Sequence, residues 1–202
     1  FVLAGGREVS IGASVGVASY PAHATSVKTL IHAADAAMYA VKQAGKGGIA
    51  IAETGITSQD EDAAESRKET GLPAAVAPQQ RDALTGLMDR RHLLEQLASE
   101  QGLMAGGEGP TGVICLDIDQ FKLLNVAHGT QVGDEVLCET ARRLKCALRR
   151  GDTLARTGSD EFVVLLRTEG RIDHDARHLV EGVAAKLLHS LAAPFNVGQG
   201  SL

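Results

Sequence analysis

The residues best suited to chemistry in this chain are carboxylates. Asp117 closes the continuous apolar run Val113-Ile-Cys-Leu116, and Asp160-Glu161 sits in a turn between two strand-like stretches. If those strands are neighbours, the three carboxylates converge at one end of a sheet. Hard divalent cations such as Mg2+ take oxygen ligands of this kind and usually share them with phosphates. Aspartate is equally common in ordinary turns, and spacing alone leaves the two readings level. His174 and His178 share a helix face at i, i+4, a spacing that can ligate zinc. Without a third ligand, a surface pair is the favoured reading.

The elements that must hold these groups follow from periodicity. Val9, Ile11, Ala13, Val15 and Val17 alternate with small residues through 7–20, which predicts one strand ended by Pro21. The small face invites close approach of another backbone or a ligand. Ser26 is a candidate N-cap and Gly45 a candidate C′ residue around a helix carrying Val27, Leu30, Ile31, Ala34, Met38 and Val41. A short strand over 49–52 follows. Residues 54–80 are polar, then Pro- and Ala-rich, and read as a solvated linker.

Beyond it, helices are predicted around Leu93 to Leu97, Val136 to Leu148 and Leu179 to Leu191. A buried strand is expected at 113–116, and a pair of strands in 153–167. Without regular βαβ units, the pattern is α+β with a mainly antiparallel central sheet flanked by helices. Phe195-Asn-Val-Gly-Gln-Gly200 also echoes Phe1-Val-Leu-Ala-Gly-Gly6, weakly.

Composition narrows the class. The 202 residues are 44% hydrophobic and 22% charged, with net charge −5. A mildly acidic chain argues against DNA binding through a general basic surface. Aromatics at 3% argue against stacking platforms for single strands. No apolar run reaches the roughly 18–20 residues of a membrane span, and Arg7 and Glu8 come too early for a secretory leader. Cys115, Cys138 and Cys146 lack C-x-x-C spacing and suit a reduced, cytoplasmic setting.

Arg156-Thr-Gly158-Ser159-Asp160-Glu161-Phe162 resembles the signature of GGDEF domains, the diguanylate cyclase family. Further motifs agree. Asp82-Ala-Leu-Thr-Gly-Leu87 with Asp89-Arg90-Arg91 resembles the family's opening D-x-L-T-G-L-x-N-R-R. Leu116-Asp117-Ile-Asp119-Gln-Phe121-Lys122 with Asn125 resembles the next strand and loop, and Gly133-Asp134 the later G-D pair. Ser14-Val-Gly16 with Ala33-Ala-Asp35-Ala-Ala-Met-Tyr39-Ala-Val-Lys42 resembles the closing strand and helix. The order is rotated: residues 1–53 match the family's closing part, 54–80 link, and 81–202 match its opening part. Either the chain is a circular permutant or it spans two tandem domains. A linker of this length reaches up to roughly 90 Å, so the two parts can assemble as one domain or exchange between two chains.

The resemblance implies condensation of two GTP into cyclic di-GMP with release of pyrophosphate, by a homodimer that holds one GTP per domain. It places Mg2+ or Mn2+ on Asp117, Asp160, Glu161 and the Ile118 carbonyl, with Asp117, Asp160 and Glu161 catalytic and Glu161 a further ligand or general base. It assigns Asn125 and Asp134 to the guanine edge, Phe121 and Lys122 to phosphate through their amides, and Lys42 and Lys46 to the terminal phosphates. Gly158 and Ser159 line the GTP site. Arg149 and Asp152 resemble the R-x-x-D motif through which cyclic di-GMP inhibits the family. Four departures bear on turnover. Ser159 replaces a glycine, where a Cβ costs energy if φ is positive. Val126 replaces Asp, Thr130 replaces His, and Gly47-Gly48 replace Asn-Arg. The alternative is a degenerate module that senses GTP or cyclic di-GMP without turnover.

Overall fold

A computed structural model describes residues 7–24, 26–53, 81–100, 112–167 and 175–197. The elements run β1 (Arg7–Val9), β2 (Ala13–Ser19), α1 (Val27–Gln43), β3 (Gly48–Ile51), β4 (Met88–Asp89) and α2 (Arg90–Glu100). Then follow β5 (Gly112–Ile118), α3 (Phe121–His128), α4 (Thr130–Ala147), β6 (Thr153–Arg156), β7 (Glu161–Leu166), α5 (Asp175–Ala192) and β8 (Phe195–Val197).

Six strands form one sheet in the order β3-β2-β5-β7-β6-β4, so strands from both sides of residues 54–80 share it. The three central pairings are antiparallel, and β2–β3 and β4–β6 are parallel. The mainly antiparallel α+β expectation holds. β1 and β8 pair separately, Val9 opposite Phe195.

The predicted strand over 7–20 is in fact two strands in two sheets. The break falls at Gly12, whose carbonyl accepts the Asp119 N–H at 2.9 Å. That hydrogen bond redirects the chain between β1 and β2.

Helices cover both faces of the sheet. Val15, Val17, Ile114, Leu116, Phe162 and Val164 face α4 and α5 in one apolar cluster. Ala18, Val113, Cys115, Val163 and Leu165 face α1 and α2 in another. The small residues of β2 serve the second face. A Cβ at Gly16 would lie 1.9 Å from the Ala34 carbonyl and 2.3 Å from the Met38 amide nitrogen. α1 therefore rests directly on the backbone of β2, and this contact needs glycine. Ser26 caps α1 in a reciprocal capping box with Thr29. At the other end Lys46 donates to the Val41 carbonyl across Gly45, whose φ is +118°, a Schellman-type stop.

β8 is fastened from outside. Arg143 sits 3.9 Å over the Phe195 ring and donates to the carbonyls of Ser190, Ala193 and Pro194. Phe1, its sequence echo, lies outside the described residues, as does His174. No described helix is long and apolar enough to cross a membrane. The three cysteines are free, Cys115 buried and Cys138 and Cys146 exposed.

Candidate active site

Antiparallel pairing of β5 with β7 places Asp117 directly opposite Glu161. The Ile118 N–H donates to the Asp160 carbonyl at 3.1 Å, which pins the signature turn to the end of β5. The three carboxylates are thus neighbours at one sheet end. Asp117 is only 7% exposed. Burial pushes its carboxyl up to about 6, the charges of Asp160 and Glu161 add to that rise, and Lys42 opposes it. Lys42, in the last turn of α1, makes the compensating contact at 2.7 Å to Asp117 Oδ2.

Each of the other two carboxylates leans on its own turn. Asp160 accepts a short hydrogen bond from the Ser159 hydroxyl. Glu161 folds back over Gly158, where an added Cβ would meet Glu161 Oε2 at 2.5 Å. A side chain at 158 would push the Glu161 carboxylate out of this position. Neither Gly158 nor Ser159 has a positive φ, so the strain expected of Ser159 is absent, and its hydroxyl is what distinguishes it from glycine. Among the described residues, no three carboxylate, imidazole or thiol groups stand together as a finished metal cage. The donor types still suit a hard cation: Asp117, Asp160 and Glu161 offer carboxylate oxygens from neighbouring backbone positions, and the Lys42 ammonium already offsets the charge of Asp117.

Just beyond the end of β5 lies a helix N-terminus suited to anions. Gln120, with φ +57°, starts α3 and gives no side-chain cap. The first-turn N–H groups, those of Phe121 and Lys122 among them, are left for an external acceptor. Phe121 is buried, and Lys122 is exposed. Lys46 is exposed on a turn, 45–47, in which all three residues have positive φ.

Asn125 on α3 is held against α4 because Gly133 has no side chain. A Cβ there would sit 1.8 Å from Asn125 Oδ1 and 3.2 Å from Phe121 Cζ. The Asn125 Oδ1 is buried without a hydrogen-bond partner among the described residues, and Asp134, the residue after Gly133 on α4, is exposed. Val126 is 77% exposed, and Thr130 is also exposed, so both departures fall on the surface.

Sequence reasoning missed three supports. Asp119 accepts from the Ser14 hydroxyl at 2.6 Å and from the Gly47 N–H at 2.9 Å. Arg156 donates to Asp82 at 3.0 Å and to the Ser159 carbonyl at 2.7 Å, tying the opening Asp82–Leu87 turn to the signature. Burial would raise the Asp82 carboxyl, but Thr85 and Arg156 outweigh it and hold it below the usual range. The available signal for all three was their position inside motifs already marked.

Arg149 and Asp152 lie apart from this centre. The Asp152 carboxylate accepts the Arg149 N–H at 3.0 Å and caps the turn. Both line a surface cleft of about 310 Å3 against α5, with His178 and Lys186 opposite.

The fold thus presents an α+β sheet with carboxylates at one end and an uncapped helix following the same strand. The family model described as "Diguanylate cyclase, GGDEF domain" matches residues 2–48 and 79–202, and the chain belongs to that family. It is similar to the response regulator PleD of Caulobacter vibrioides, 37% identical over 119 residues, which is 59% of this chain and 25% of PleD. It also resembles the cyclic di-GMP phosphodiesterase PdeR of Escherichia coli K12, 30% identical over 117 residues, 58% of this chain and 16% of PdeR. Both relatives are thus at least four times longer than the stretch matched. Among solved structures, a sensory box/GGDEF family protein from Caulobacter crescentus is 39% identical with a TM-score of 0.51. The match covers 60% of this chain and 75% of that one.

Proposed function

We propose that this module is a diguanylate cyclase, condensing two GTP into cyclic di-GMP as a homodimer. The observation that carries this reading is the placement of Asp117 opposite Glu161, with Lys42 on Asp117. Asp117, Asp160, Glu161 and the Ile118 carbonyl would hold Mg2+ or Mn2+. Such an ion supplies Lewis-acid polarisation and charge neutralisation at the phosphates.

The chain's own groups do the rest. Asn125 and Asp134 accept from the guanine edge, whose N1–H and N2–H2 donors adenine lacks. The amides of Phe121 and Lys122 and the ammonium groups of Lys42 and Lys46 take the phosphates. Gly158 and Ser159 close the nucleotide side of the signature turn. In each half-reaction the 3′-hydroxyl of one GTP attacks the α-phosphorus of the other. A new P–O bond forms, the bond to pyrophosphate breaks, and Glu161 would take the hydroxyl proton. Two such steps give one cyclic di-GMP and two pyrophosphates. Arg149 and Asp152, in their cleft, would bind the product and inhibit.

One observation favours a second reading. The Ser159 hydroxyl occupies Asp160, which suits a module that binds nucleotide without turnover. Purified protein incubated with GTP and Mg2+, with products separated by chromatography, decides between the two. Cyclic di-GMP that vanishes in Asp160→Asn supports the cyclase. Tight GTP binding without product leaves the sensor, and neither binding nor product overturns both.

A further inference from the structure

We infer that Asp119 is a positioning residue: it anchors the Lys46 turn to the strand that carries Asp117 and so sets how the site grips the distal phosphates of GTP. This rests on the nucleotide reading above and assigns a residue that reading leaves unused.

Three segments distant in sequence meet at this one side chain. Oδ1 takes the hydroxyl of Ser14, which is fully buried on β2, and Oδ2 takes the Gly47 N–H from the turn after α1. The Asp119 N–H binds the Gly12 carbonyl at 2.9 Å. Both carboxylate oxygens are engaged by donors, which separates Asp119 from Asp117, Asp160 and Glu161.

The turn needs such an anchor. Lys46 is a non-glycine residue at φ +69°, flanked by Gly45 at +118° and Gly47 at +66°, a conformation that persists only where surroundings impose it. Side-chain packing supplies little. A Cβ at Gly45 would meet nothing within 4 Å, and one at Gly47 would meet only Asp119 Oδ2, at 4.0 Å. Two carboxylates spaced i, i+2 at the end of β5 thus hold the two lysines differently. Asp117 holds the ammonium of Lys42, and Asp119 holds the backbone that carries Lys46.

The test compares GTP with GMP, which lacks the distal phosphates. In Asp119→Ala, calorimetry with Mn2+ present should show GTP affinity down about tenfold and GMP affinity unchanged within twofold. Amide exchange at 45–48 should accelerate while the β5 and β7 amides stay protected. Asp119→Asn should restore most of the GTP affinity, because its Oδ1 can accept from Gly47 while its amide donates to the Ser14 oxygen. Should Asp119→Ala not fold, Ser14→Ala/Asp119→Ala leaves no orphaned hydroxyl and carries the same comparison. Equal losses of GTP and GMP, or unchanged exchange at 45–48, would overturn the inference. Failure of the wild-type chain to bind GTP would instead strike the cyclase reading, and the exchange measurement would still judge Asp119.

Discussion

The ammonium of Lys42 rests 2.7 Å from Asp117 Oδ2, where the last turn of α1 meets the end of β5. A cation supplied by the protein therefore stands against the carboxylate proposed to receive a metal ion. Like charges so close repel, and burial strengthens the effect. Lys42→Met should bind Mn2+ several-fold more tightly in the nucleotide-free protein and bind GTP roughly tenfold more weakly. Titration calorimetry measures both. Unchanged Mn2+ affinity would show that the ammonium does not compete.

Gly133 should prove specific to recognition. In Gly133→Ala, the new methyl group meets the tip of the Asn125 side chain, which can rotate away. Alanine also gains about 1 kcal/mol of helix propensity over glycine. The urea midpoint should stay close to wild type while GTP affinity drops about tenfold and discrimination against ATP narrows. A large fall in stability would mean that Phe121, not Asn125, is the group displaced.

Because Ser159 does not sit at positive φ, its hydroxyl should matter and its Cβ should not. Ser159→Ala and Ser159→Gly are expected to raise cyclic di-GMP formation alike, several-fold, by freeing Asp160. An increase in the glycine variant alone would point to backbone freedom instead.

Glu139 gives a pH signature unconnected with the site. Arg142 holds its carboxyl down to about 2, burial opposes this, and Arg143 adds to the lowering. As pH falls below the ordinary glutamate range, the unfolded chain takes up the proton first. The stabilisation is therefore present above about pH 4.5 and is lost on the way to pH 2. A half-exposed surface network contributes only on the order of 1 kcal/mol. Urea unfolding at pH 6 and pH 3 should show a smaller difference in Glu139→Gln than in wild type. Equal differences would remove Glu139 from the acid response.

Strong periodicity made most of the fold readable. The apolar stripes of α1, α4 and α5 and the run ending at Asp117 appear where expected. α3 escaped notice because Gln120 and Gly129 bound it without side-chain caps, and its exposed Leu123 and Val126 blur the stripe. The break between β1 and β2 was equally hidden, since the alternation runs on through Ile11 and only a hydrogen bond from Asp119 interrupts it. In the site, motifs marked Asp117 and Asp119, but the partners that hold them come from remote segments. Neither the Lys42–Asp117 contact nor the Ser14–Asp119 bond leaves a local trace.

The pairing of β1 with β8 has a topological consequence. Arg7 lies directly opposite Val197, so the first and last described strands meet, and the order of the described elements closes into a ring with one gap in that order, between β8 and β1. A ring has no preferred starting point. Moving the gap to another surface loop would leave each strand pairing, each helix contact and the grouping of Asp117, Asp160 and Lys42 as they are. The linear order of the motifs is thus nearly independent of the three-dimensional arrangement they build.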